Sequence, residues 1–92
     1  MKAALFYGGK DIRLEAITTP EPEPGYVQVK VHASGICGGD IHGYLHQPDQ
    51  PRLPRSAGHE LAGVISGLGE GITQFQVGDR VAIEPTVPCN DC

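Results

Sequence analysis

Hydrophobic and polar positions alternate over short distances and are interrupted again and again by glycine and proline, a pattern that predicts short strands rather than long helices. Residues 2–7 and 12–17 are partly alternating segments on either side of Gly8-Gly9-Lys10-Asp11, a turn-rich tetrapeptide that suits an antiparallel hairpin. Residues 18–25 set Pro20, Pro22 and Pro24 among Glu21 and Glu23. Every second residue there lacks an amide proton and pushes its predecessor toward extended geometry, so an exposed connector is expected. In residues 26–36, Val27, Val29, Val31 and Ala33 alternate with Gln28, Lys30, His32 and Ser34, the period of a half-buried strand. Residues 40–46 predict a short helix with Asp40 near its N-terminus, where a carboxylate suits the dipole. Residues 47–56, with three prolines, predict a surface loop, and residues 60–68, apolar and broken by glycine, a buried, bent strand. Residues 77–80 read as a turn, residues 80–84 as a last strand and residues 85–92 as an irregular tail. The expected class is mostly β with one short helix.

Composition narrows the function. At 92 residues and 9.8 kDa the chain suits one small domain, burying roughly 60–70% of its unfolded surface, and is too short for a two-domain enzyme. Eleven acidic against seven basic side chains give a net charge of −4, so there is no cationic field to draw in phosphate backbones and nucleic acid is not an expected partner. No apolar run approaches the roughly 18 residues of a membrane span, and the opening residues lack the apolar core and cleavage site of a signal peptide. A cytoplasmic location with no membrane partner is expected. In that reducing setting three cysteines point to metal binding or chemistry before a structural disulfide.

The sharpest cluster is Gly58-His59-Glu60 taken with Cys37, because an imidazole, a carboxylate and a thiolate are the three ligand types that tetrahedral zinc takes. Gly38 after Cys37 and Gly58 before His59 would let the backbone turn sharply and aim both side chains into one cleft. The 21 residues between Cys37 and His59 match no compact zinc motif, and a buried cysteine with an unrelated surface histidine fits that spacing equally well. His32 and His46 fall on the polar phase of a strand and in a loop region, as ordinary surface residues.

Longer motifs add a resemblance. Gly35-Ile36-Cys37-Gly38-Gly39-Asp40-Ile41-His42 resembles the G-I-C-G-[ST]-D-x-H segment of zinc-dependent medium-chain alcohol dehydrogenases, and Gly58-His59-Glu60-x2-Gly63-x5-Gly69-x2-Ile72 resembles their zinc signature. Met1-Lys2-Ala3-Ala4, the connector ending Pro24-Gly25, Val77-Gly78-Asp79-Arg80-Val81 and Cys89-x2-Cys92 extend the likeness over the whole chain. The resemblance implies a GroES-like, partly open β-barrel with a short helix, the N-terminal catalytic domain of an NAD(P)-dependent alcohol or polyol dehydrogenase, with a sorbitol or threonine dehydrogenase-like branch open. It implies Cys37 and His59 as ligands of a catalytic zinc and Glu60 as a ligand or neighbouring carboxylate. Asp40 would orient His59 through its second ring nitrogen, which fits the usual support of a metal-bound histidine; the plainer alternative is a helix cap. His42 would stand at the outer end of a proton path, or be a solvated histidine. The parent would take a small alcohol or polyol substrate and assemble as a homo-oligomer.

Where the family carries Ser or Thr, this chain has Gly39, which has no hydroxyl to bond the substrate oxygen and start a proton relay. Water, or a hydroxyl of the substrate itself, would replace it, or activity on simple alcohols would be weak. Cys89 and Cys92 resemble the first half of the family's four-cysteine structural zinc lobe; a thiol redox pair is the alternative, but it expects a helix start that Pro88 and the tail do not provide. No G-x-G-x-x-G motif follows a strand, so no nucleotide-binding domain and no cofactor-binding residue for NAD or NADP is assigned. The expectation is therefore residues 1–92 of a longer enzyme, truncated within the zinc lobe and inactive alone. A stand-alone GroES-like binding or assembly module is the alternative in another class, which the Cys, His and Glu set argues against.

Overall fold

The computed structural model describes residues 1–46 and 54–89. The chain divides into two compact units, Met1–Pro20 with Ile36–Gly58, and Glu21–Gly35 with His59–Cys92. Each unit has its own open three-stranded antiparallel sheet. The mostly β class with one short helix is as the pattern predicts, and neither sheet closes on itself.

In the first unit β1 (Lys2–Gly8) and β2 (Asp11–Ala16) form the expected hairpin, with Lys2 opposite Ala16 and Phe6 opposite Ile12. The tip places Gly8 at φ 118° and Lys10 at φ 61°. Because opposed residues share a face, Phe6 and Ile12 lie on one side and Leu5 and Arg13 on the other. Among the described residues, Phe6 is the buried large side chain of this unit, 4% exposed. On the opposite face the Tyr7 hydroxyl donates to Glu15 Oε1 at 2.6 Å, and the Arg13 guanidinium lies 4.1 Å from the Tyr7 ring centre while pairing with Asp11 at 2.9 Å. The bond to Glu15 raises the Tyr7 phenol, and the bond from Arg13 lowers the Asp11 carboxyl.

The loop expected over residues 47–56 needs one correction. Arg55–Ser56 is a two-residue strand, β4, on the free side of β1 opposite Phe6 and Leu5, and Arg55 lies over the Phe6 ring at 5.5 Å. Residues 47–53 of that expectation lie outside the described residues.

In the second unit β3 (Val27–Gly35), β5 (Glu60–Leu68) and β6 (Arg80–Ala82) run in the order β3-β5-β6. The register from Val27↔Leu68 to Gly35↔Glu60 shifts twice, leaving Ser66 unpaired in β5 and His32 unpaired in β3. The Ser66 hydroxyl donates to Gln28 Oε1 at 3.0 Å, fixing the first bulge, and these irregularities supply the bend expected of residues 60–68. They also undo the simple alternation: Val31, expected on the covered face, is exposed. Ile65 is the buried centre, 1% exposed, with its amide donating to the Asp79 carbonyl and its carbonyl accepting from Gly78. The last strand ends at Ala82 rather than residue 84, because Pro85 follows closely and offers no amide to continue a ladder.

Gly63 is the tightest point of this sheet. A Cβ there would fall on the Lys30 carbonyl, with the Val31 backbone next to it, so glycine is required by lack of room.

Candidate metal and catalytic site

The segment around Cys37 lies in the first unit. Asp40 and Ile41 donate their backbone N–H groups to the Cys37 carbonyl at 3.0 and 3.3 Å, which makes Cys37 the N-cap of α1 (Gly38–His46). In return Asp40 Oδ2 accepts the Cys37 N–H at 3.0 Å, the backward half of a capping box. The helix thus starts at Gly38, two residues before the expected position, although Gly38 and Gly39 are poor helix formers. Cys37 is a half-buried thiol whose backbone is held at both N–H and C=O. A Cβ at Gly39 would meet nothing within 4 Å, so the missing hydroxyl leaves open space in the first turn. His42 is exposed on the same helix, and His46 is its last residue, where the helix expected over residues 40–46 also ends.

His59 and Glu60 lie in the second unit. Gly58 immediately precedes them at φ 106°, a left-handed conformation that reverses the chain into β5 and that side chains with a Cβ rarely adopt. His59 is half-buried and Glu60 exposed, opposite Gly35. Both line an open cleft of about 450 Å³ with Ser34, Gly35, Ile83 and Pro85. The Ile83 amide donates to the Leu61 carbonyl at 2.9 Å, which carries the chain past β6 along the cleft wall. The cleft therefore combines an imidazole, a carboxylate and a short apolar wall.

Cys89 is exposed, and Cys92, its expected partner, lies outside the described residues. Asp40 stands at the third helical position rather than at the N-cap, so its capping role is the backward bond to Cys37. Sequence reasoning missed that bond; the signal was an acidic residue three positions after a possible cap. No helix among the described residues is long and apolar enough to cross a membrane.

The alcohol dehydrogenase GroES-like domain matches residues 23–92 of the chain. An (R,R)-butanediol dehydrogenase from Bacillus subtilis is 45% identical over 96 residues, covering 92% of this chain and 28% of the relative. A sorbitol dehydrogenase from the same organism is 41% identical over 95 residues, covering all of this chain and 27% of the relative. A crystal structure of a short chain alcohol dehydrogenase (rspB) from E. coli CFT073, complexed with the cofactor NADH, superimposes with a TM-score of 0.86 at 40% identity, over 100% of this chain and 26% of that one. The chain thus spans about a quarter of the length of the curated relatives it matches.

Proposed function

The chain belongs to the alcohol dehydrogenase GroES-like domain family, within the medium-chain alcohol dehydrogenases, and from that footing we propose that it is the zinc-binding catalytic part of an NAD(P)-dependent alcohol or polyol dehydrogenase. The observation that carries the reading is the donor set. Cys37 offers a sulfur, His59 a ring nitrogen and Glu60 a carboxylate oxygen. Each stands where the backbone is held or reversed: Cys37 at a helix cap, His59 and Glu60 just after left-handed Gly58. This chemistry fits zinc, and a site with so few protein ligands leaves a position for substrate. Zinc bound there supplies Lewis acidity toward an alcohol oxygen.

The reaction class is removal of hydride from a carbinol carbon with release of the hydroxyl proton to solvent. Cys37, His59 and Glu60 would hold the metal. Asp40, whose carboxylate carries the Cys37 amide, would orient His59 toward such a metal. His42, exposed on α1, passes the proton to water. Gly39 leaves the oxygen end of that path without a side-chain hydroxyl, which favours a substrate bringing its own second hydroxyl, as a diol or polyol does. The relatives named for butanediol and sorbitol support this choice. Cys89 and Cys92 are read as half of a structural zinc lobe. The nicotinamide site is assigned to the part of the relatives' length that this chain does not cover, so the chain alone is expected to be inactive, the hydride acceptor having no effective molarity.

The test uses the polypeptide that joins this segment to a nucleotide-binding region. Bound zinc by elemental analysis and NAD- or NADP-linked oxidation of butane-2,3-diol and sorbitol are expected. Gly39→Ser should raise kcat/KM for a simple monoalcohol by about 10- to 100-fold. A protein without bound metal and without turnover on any diol overturns the reading.

A further inference from the structure

His42 and His46 lie four residues apart on α1, and their ring centroids are 5.0 Å apart with an interplanar angle of 49°. Residues at this spacing project from one helix face, one turn above the other. Both side chains are exposed, and among the described residues no hydrogen bond engages either ring. The distance suits a shared ion. Metal–imidazole bonds of about 2.0–2.1 Å put each ring centre roughly 3.2 Å from the metal, and ligand–metal–ligand angles of about 90–109° then separate the ring centres by about 4.5–5.2 Å. The observed separation falls in that interval.

From this geometry we propose that His42 and His46 form a second metal site, a two-histidine chelate on the surface of α1 for divalent transition cations that prefer imidazole, namely Cu²⁺, Ni²⁺ and Zn²⁺. Two imidazoles on one rigid element bind with a high effective concentration of the second ligand once the first is engaged, and water completes the shell. His46 is in the last turn, where exposed carbonyl ends favour positive charge. The net charge of −4 does not oppose a cation. Oxygen-seeking Mg²⁺ finds no carboxylate in the pair and is excluded. The site shares no residue with the Cys37, His59 and Glu60 set and rests on the His42 and His46 geometry alone; a metal held there would occupy the His42 ring assigned above to the proton path.

The experiment is a Ni²⁺ titration of the 92-residue chain, read by paramagnetic broadening of histidine ring and α1 amide resonances, with Mg²⁺ as control. The His42 and His46 ring signals should broaden together at substoichiometric Ni²⁺ and stay sharp in Mg²⁺. His46→Gln, an exposed change to a better helix former, should weaken the broadening at His42 by on the order of tenfold or more in Ni²⁺ concentration. Broadening of His59 is a separate signal with its own assignment, so failure of one site does not mask the other. The proposal is overturned if the His42 ring stays sharp while Ni²⁺ binds elsewhere, or if it broadens equally in wild type and His46→Gln, which is the behaviour of two independent solvated histidines.

Discussion

Tyr7, Asp11, Arg13 and Glu15 tie the hairpin unit together through side chains, whereas β3 and β5 meet at Gly63 with no room for a side chain at all. The hairpin cluster lies on the face opposite Phe6, so its members touch one another more than the core. In the other unit Ile65 sits at the centre of a ladder that is bonded on both edges and bulged at Ser66 and His32. The difference teaches where substitution is tolerated. A network of exposed polar groups loses its members one at a time, but a close backbone approach has no intermediate state between fitting and not fitting.

The comparison breaks hardest at Gly63. Gly63→Ala forces a methyl onto the Lys30 carbonyl, and an overpacking cost of about 3 kcal/mol or more is expected, read as a lowered urea midpoint. Arg13→Ala in the hairpin, by contrast, should leave the urea midpoint nearly unchanged, since its pair with Asp11 is solvent-exposed.

The proposed ligand residues test the same contrast. Under the proposed function, Cys37→Ser in the polypeptide that joins this segment to a nucleotide-binding region should lower metal retention and activity by more than about 100-fold, beyond the loss usual for a supporting residue. Its helix should persist, because Ser caps as well or better. Asp40 separates into two effects. Asp40→Asn keeps an oxygen for the Cys37 amide and should leave the thermal midpoint nearly unchanged, while metal retention against a mild chelator falls about 10- to 100-fold. Asp40→Ala should add about 1 kcal/mol of destabilisation through the lost bond at the helix start. Unchanged metal content in Asp40→Asn would leave Asp40 a helix-start residue only.

The smallest effect belongs to the hairpin and depends on pH. Because the Glu15 hydrogen bond raises the Tyr7 phenol, the stability it contributes is complete below the usual phenol value near 10 and is lost as pH rises through the folded value. Asp11 runs the other way. Arg13 lowers its carboxyl, so that contribution is present above the usual carboxylate value near 4 and is lost as pH falls through the folded value. Tyr7→Phe should remove the alkaline limb and leave the acid limb, seen in thermal midpoints across pH and in phenolate absorbance. An alkaline limb that survives in Tyr7→Phe would assign it elsewhere.

Strands that carry their own signal were legible in the residues: β1 and β2 flank an evident turn, and β5 is observed over the residues expected for it. β4 was not, because two residues have no period and its pairing to Leu5 and Phe6 is set by chain segments far apart in sequence. The bulge at His32 was hidden for a related reason. One extra residue shifts every later side chain to the other face, and nothing local marks which residue is extra. For the site, the residue types of Cys37, His59 and Glu60 and the adjoining glycines are visible in the string. The backward bond from Asp40 and the clasp between Tyr7 and Glu15 depend on a helix start and a strand register, which exist only after folding.

The hairpin tip also reaches beyond its own sheet. Lys10 holds a left-handed φ of 61°, and its amide donates to the carbonyl of Tyr44 at 2.9 Å, one of the last-turn acceptors that a helix cannot satisfy internally. The tip of a hairpin is ordinarily where amide protons exchange with solvent fastest. Here that proton is withheld until the end of α1 lets go, so its exchange is a clock for the fraying of the helix that carries His42 and His46.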